Sequence, residues 1–293
     1  MRWGARAAAL AVTAVVTSYA AAPVALAVPA PDGGVTGSAS APRARPPATR
    51  VVLPPVGAAV DYQLGGGYPP PTGVTVVARD RTERPPAGMY GICYVNGFQT
   101  QGSDASWWLT RHPTLVLRDA RGRPVRDPGW PDEMLLDTST ASKRRAIVAI
   151  ESVWLAGCAR YGYRAVELDN LDSWSRSGRR LTLQQNAALA AALVARAHAL
   201  GLAAAQKNDT DMLALHRLTR FDLAVVEECQ VYAECGRYLS VYGRHVIEIE
   251  YADAGGLTGF RAACRARGSL ISLVYRDRDL VPRGAPGYAY ARC

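Results

Sequence analysis

Three acids, Glu167, Asp169 and Asp172, crowd the stretch GYRAVELDNLDSW (162–174), directly behind an apolar run. A charged group beside buried strand residues is costly unless it is paired, hydrated or used. Alternation along a strand places Glu167 and Asp169 on one face. Farther on, Lys207, the pair Glu227-Glu228, and Glu248 and Glu250 each end another apolar run. Two carboxylates facing one cleft can hydrolyse a glycosidic bond, one protonating the leaving oxygen and the other attacking or activating water. A third carboxylate and a lysine nearby would separate their pKa values. Asp169 and Glu227 are the best candidates for that pair. Tyr62, Tyr94, Tyr251 and Trp174 offer flat faces with polar edges that suit sugar rings. No GxSxG elbow is present. The four histidines (His112, His198, His216 and His245) fall at no strand exit, which argues against a His-dependent triad or a His-rich metal centre.

Such residues need a scaffold that gathers strand ends. Strand-like runs recur at 59–63, 74–79, 90–95, 164–169, 202–207, 223–228, 245–251 and 270–275. Helical patterns at 143–161, 182–200, 211–218 and 257–267 separate several of them, the second opened by Thr182 and stopped at Gly201. Eight strands with interleaved helices predict an α/β fold, a single-domain (β/α)8 TIM barrel, whose site lies at the C-terminal strand ends. Those ends carry Asp61 and Tyr62, Tyr94 and Asn96, Glu167, Asp169, Asn170 and Asp172, Lys207 and Asn208, Glu227 and Glu228, and Glu250 and Tyr251. Asp169 and Glu227 are the expected catalytic residues, and the others the expected substrate-binding set. No metal and no cofactor is expected.

Residues 1–27 read as a secretory signal peptide: Arg2 and Arg6, an apolar core, then Ala25-Leu26-Ala27. Residues 28–57, rich in Pro, Ala and Gly, read as a disordered linker, leaving 58–293 for the barrel. The net charge is +9, but five arginines and one aspartate precede residue 57. The remaining basic residues form no aromatic-interleaved stripe, so nucleic acid is not an expected partner. The expected molecule is extracellular and monomeric, with no membrane insertion after leader removal. All six cysteines, Cys93, Cys158, Cys229, Cys235, Cys264 and Cys293, fall in the barrel region, an even count that suggests three disulfides. Many pairings are open by count. Proximity favours Cys229–Cys235, Cys264–Cys293 would tie down the C-terminus, and Cys93–Cys158 is what remains.

DYQLGG (61–66), GICYVNGFQ (91–99), WPDEMLLD (130–137), GYRAVELDNLDSW (162–174), AHALGLAAAQKN (197–208), FDLAVVEECQVYAEC (221–235) and VIEIEY (246–251), in this order, resemble glycoside hydrolase family 114, the endo-α-1,4-polygalactosaminidase-like barrels. The resemblance covers roughly 60–280. It implies a (β/α)8 hydrolase that cuts internal α-1,4 linkages of a galactosamine-containing polysaccharide. The acid of the DN motif and the first glutamate of the E-x-C motif fall at Asp169 and Glu227. Val226 stands where the family pattern has asparagine, and CYVNGFQTQ replaces a Ser/Gly-rich stretch. The alternatives are a carbohydrate-binding barrel without catalysis, and a hydrolase or deacetylase acting on another glycan.

Overall fold

The computed structural model describes residues 51–293. Eight parallel strands run in sequence order: β1 (Val60–Gln63), β2 (Val76–Asp80), β3 (Tyr90–Asn96), β4 (Ala165–Asp169), β5 (Ala203–Lys207), β6 (Leu223–Glu227), β7 (Val246–Tyr251) and β8 (Ser272–Arg276). A ninth, β9 (Tyr290–Arg292), pairs antiparallel with β8. The result is a nearly closed α/β barrel. Residue alternation sets its chemistry. Ala165, Ala203, Ala205, Leu223, Val225, Ile247 and Ile249 form the interior cluster, while Val166, Leu168, Ala204, Ala224 and Val226 join the outer helical layer. Counting on by twos along each strand, the last inward positions are Asp169, Lys207, Glu227 and Tyr251. These four polar groups, with Glu167 one inward step below Asp169, cap the apolar interior.

The helices are α1 (Ala105–Arg111), α2 (Ala141–Tyr161), α3 (Ser173–Arg176), α4 (Leu183–Ala199), α5 (His216–Thr219), α6 (Cys235–Tyr242) and α7 (Gly256–Arg267). Thr182 caps α4 through a reciprocal capping box with Gln185. Gly162, at φ 92°, ends α2 in the left-handed region. The helical pattern expected at 211–218 resolves into a 3-10 turn (Met212–Leu215) followed by α5. No helix follows β1 or β2, whose connections are turns. The sequence reading passed over α1, α6 and β9, all short.

The leader expected at 1–27, and the linker up to residue 50, lie outside the described residues. The remainder of that linker needs correction. Val51 and Leu53 pack against the barrel interior, and the Tyr90 hydroxyl donates to the Val52 carbonyl at 2.6 Å. This apolar VVLPP stretch covers barrel surface, so the packed region begins before residue 58. Among the described residues no helix is long and apolar enough to cross a membrane.

Arg276, fully buried, fastens the β8–β1 seam. It donates to Asp61 Oδ1 at 3.0 Å, to the Tyr62 carbonyl and to the Ala289 carbonyl. Disulfides join Cys93–Cys158, Cys229–Cys235 and Cys264–Cys293. The last spans 29 residues and anchors the segment that carries β9. Replacing Cys264 and Cys293 by serine is expected to lower unfolding stability by about 3–4 kcal/mol, from the loop entropy returned to the unfolded chain; urea titration of the pair against wild type measures it.

Glu151 of α2 is completely buried, and neither carboxylate oxygen has a hydrogen-bond partner. Burial holds its carboxyl well above the usual range, with Arg81 only partly opposing. Above about pH 4.3 the unfolded chain releases this proton while the folded chain keeps it. Stability therefore falls as pH rises, until the folded group itself ionises. Glu151→Gln is expected to flatten that fall by about 1.4 kcal/mol per pH unit between pH 5 and 7, read from paired denaturation curves across pH.

Candidate active site

Lys207 is the centre of the barrel mouth. It is almost fully buried, and its Nζ lies 3.2 Å from Glu167 Oε1, 3.5 Å from Glu227 Oε1 and 3.6 Å from Asp169 Oδ2. It also donates to the Tyr62 hydroxyl at 2.9 Å, which in turn donates to Glu167 Oε1 at 2.5 Å. Alanines at the inward positions of β4 and β5 leave room beneath for this large-residue stack. Asp169 accepts from the Tyr94 hydroxyl at 2.7 Å and from its neighbour's backbone, Asn170 N, at 2.6 Å. Glu227 accepts from the Tyr251 hydroxyl at 2.5 Å and from Asn208 Nδ2 at 2.8 Å. Asn208 and Asn170 both sit at positive φ, the left-handed geometry that asparagine tolerates. Their strands end abruptly there, which turns the side chains back over the mouth.

The electrostatics separate the acids. Burial lifts Glu167 to about 7, with Lys207 and Tyr62 only partly opposing. Burial also works against ionisation of Glu227, but Lys207, Tyr251, Asn208 and Arg278 overcome it and hold the carboxyl below its ordinary value. Burial disfavours the Lys207 charge, yet Asp169, Glu227 and Glu167 keep its pKa well above that of a free lysine. The mouth thus holds an ammonium ion, an ionised Glu227, and a buried Glu167 that carries a proton below about pH 7.

A cavity of about 390 Å³ opens over this cluster, lined by Tyr94, Asp169, Asn170, Lys207, Glu227 and Tyr251 together with Gln101, Trp130, Glu133, Arg278 and Asp279. Gly65 also lines it. A side chain there would meet the Asp279 and Leu280 carbonyls at 2.6 Å, so glycine lets the β1 and β8 loops close one wall. A second lobe of about 360 Å³ shares Glu227 and is lined by Asp172, Trp174, Asn208, Asp209, Glu228 and Tyr232.

Twelve of the fourteen residues expected to act here are at these lobes or directly beneath. Tyr62 and Glu167 lie below Lys207, and Asn96 holds Glu133 and Asn170 through hydrogen bonds of 2.9 Å. Asp172 and Glu228 reach the second lobe but are paired with Arg176 and Arg278. Two expectations need correction. Asp61 is fully buried at the seam, its oxygens taken by Arg276, Tyr68 and Gln63. Glu250 points to the opposite face from Tyr251, where it accepts from Gln230 N at 3.0 Å. Burial, with Glu248 close by, lifts Glu250 to about 8. Strand alternation alone could have excluded it. The sequence reading in turn missed Trp130, Glu133, Gln101 and Arg278. They arrive on loops, outside the strand ends. As for metals, the described group close enough to hold an ion is Cys229, Cys235 and Glu248, and its two sulfurs are joined to each other.

A parallel barrel with carboxylates gathered over one polar cavity at its C-terminal strand ends suits hydrolysis of a glycosidic bond. The profile of glycoside-hydrolase family GH114 matches residues 39–293, and the chain belongs to that family. It is a glycoside hydrolase. Its fold is similar to that of Aspergillus fumigatus Ega3, solved in complex with galactosamine: TM-score 0.66 at 20% identity over 84% of this chain and 98% of that one. It is also similar to the glycoside hydrolase domain of PelA from Pseudomonas aeruginosa, at TM-score 0.52 and 17% identity over 78% of this chain and 97% of that domain. A comparison with curated protein sequences returned no match.

Proposed function

We propose that this chain is a secreted endo-acting hydrolase of α-1,4 linkages in a galactosamine-containing polysaccharide, with Asp169 and Glu227 as its carboxylate pair. The observation that carries the reading is that both acids lie within 3.6 Å of one buried lysine and line the same open cavity. Two carboxylates over one cleft suit a division between proton donation and attack on the anomeric carbon. The residual negative charge around Lys207 suits a cationic, deacetylated sugar. The family and the galactosamine bound to Ega3 support the substrate class, and three disulfides suit an extracellular protein.

The test is product analysis on α-1,4-linked galactosamine polymer. Oligosaccharides of mixed length from the earliest times, unaffected by a chelator, are expected. Monosaccharide alone would contradict endo action. Polymer binding with no product would favour a binding barrel, and loss of activity with chelator would favour a metal-dependent deacetylase.

A further inference from the structure

The cavity wall on the Asp169 side does not come from the barrel. It comes from the long β3–α2 connection, where isolated bridges Gln99↔Leu135, Val116↔Leu136, Arg118↔Pro124 and Arg126↔Met134 hold residues 99–136 as a small folded excrescence. Its tip places Trp130 and Glu133 over the mouth. Trp130 is 58% exposed, a large apolar surface left in solvent at the edge of a polar cleft. The tip is rigidly held. Asp127 Oδ1 accepts from Gly129 N at 2.7 Å and Trp130 N at 3.2 Å, while its Oδ2 takes Gln99 Nε2 at 2.7 Å and pairs with Arg176 Nε at 2.6 Å. Glu133 N donates to the Trp130 carbonyl at 2.9 Å, closing the backbone turn between the two residues.

Glu133 is also locked to the reacting centre. Asn96 Nδ2 donates to Glu133 Oε2, and Asn96 Oδ1 accepts from Asn170 Nδ2, both at 2.9 Å. Asn170 is the residue next to Asp169. No basic side chain pairs with Glu133 among the described residues, whereas Asp169 has Lys207 and Asp127 has Arg176. Its Oε1 makes no hydrogen bond to the described residues. Asp169, Asp132 and Asp127 add negative potential around it; burial is the larger influence, and together they outweigh the Asn96 bond to lift Glu133 to about 7. A half-buried carboxyl group with one oxygen free, facing a cavity, is completed by a cation.

We propose that Trp130 and Glu133 form a subsite for one 2-amino-2-deoxyhexose ring on the Asp169 side of the cleft. Trp130 stacks on the ring's apolar face, and the free Glu133 oxygen takes the 2-ammonium group. Glu133 thereby selects free amine over N-acetyl at that position. The assignment rests on the amino-sugar reading of the site.

The test measures binding by calorimetry in the Glu227→Gln background, with an α-1,4-galactosamine oligosaccharide and its fully N-acetylated counterpart as probes. The parent should prefer the free amine by about tenfold or more. Adding Glu133→Gln should reduce that preference to within about twofold, while the acetylated oligosaccharide binds as before. Trp130→Ala should weaken both probes alike, by about tenfold, from lost stacking. An undiminished preference after Glu133→Gln, or absence of binding by either probe, overturns the subsite. Preferential binding by the parent beside a wild type that releases no product would leave the subsite standing and remove the hydrolase function instead.

Discussion

Asp169→Asn and Glu227→Gln should each reduce turnover on galactosamine polymer by at least about a thousandfold, while leaving the fold intact. Each exchange removes an ionisable, proton-transferring carboxyl but conserves shape. The amides can still accept from Tyr94 or from Tyr251, so the local hydrogen bonds survive in part. The loss should appear in kcat rather than in KM, because the acids act on the reacting bond. Circular dichroism and melting curves beside initial-rate measurements separate chemistry from folding. The double variant should be little worse than either single one, since residues that work as a unit are not additive in their removal. A single variant within tenfold of wild type would reassign that residue.

Lys207→Met should cost both stability and activity. Lys207 Nζ is the cation shared by Glu167, Asp169 and Glu227. Removing it leaves buried carboxylates uncompensated, an effect of about 3–5 kcal/mol when one partner of a buried pair is lost. The sign with pH follows. In the wild type, Glu227 has a depressed folded pKa, so its contribution is present above the unfolded value and fades as pH falls through the folded one. Without the lysine, burial dominates and the folded carboxyls rise above their unfolded values. Stability of the variant then declines as pH increases from about 4.3. The difference from wild type should be small near pH 4 and largest near pH 7, measured by denaturant titration at several pH values. Activity at neutral pH should fall at least a hundredfold, with the pH profile displaced to higher pH, because Glu227 now holds its proton more tightly. A pH-independent stability difference would mean the lysine does not neutralise the cluster.

How far the sequence led can be seen at particular residues. The strands were legible because each is a short apolar run ending in a polar residue, and barrel topology then converts eight run ends into one site. Asp169, Lys207, Glu227 and Tyr251 follow from that rule. Asp61 and Glu250 show its limit: a strand end has two faces, and only the inward one reaches the mouth. Tyr251 and Glu250 are neighbours in sequence and opposites in space. Trp130 and Glu133 were out of reach for another reason. They belong to no strand, and their place depends on long-range bridges such as Gln99↔Leu135 that no local pattern encodes. The short helix α6 hides similarly, since Cys235, Tyr238 and Tyr242 mark a buried stripe too brief to stand out.

The most direct test of the central claim is the appearance of new reducing ends from α-1,4-linked galactosamine polymer, followed for wild type, Asp169→Asn and Glu227→Gln at equal concentrations of folded protein. Steady release by the wild type and none above background by either variant is the predicted result. Equal release by all three, or none by the wild type, would contradict it.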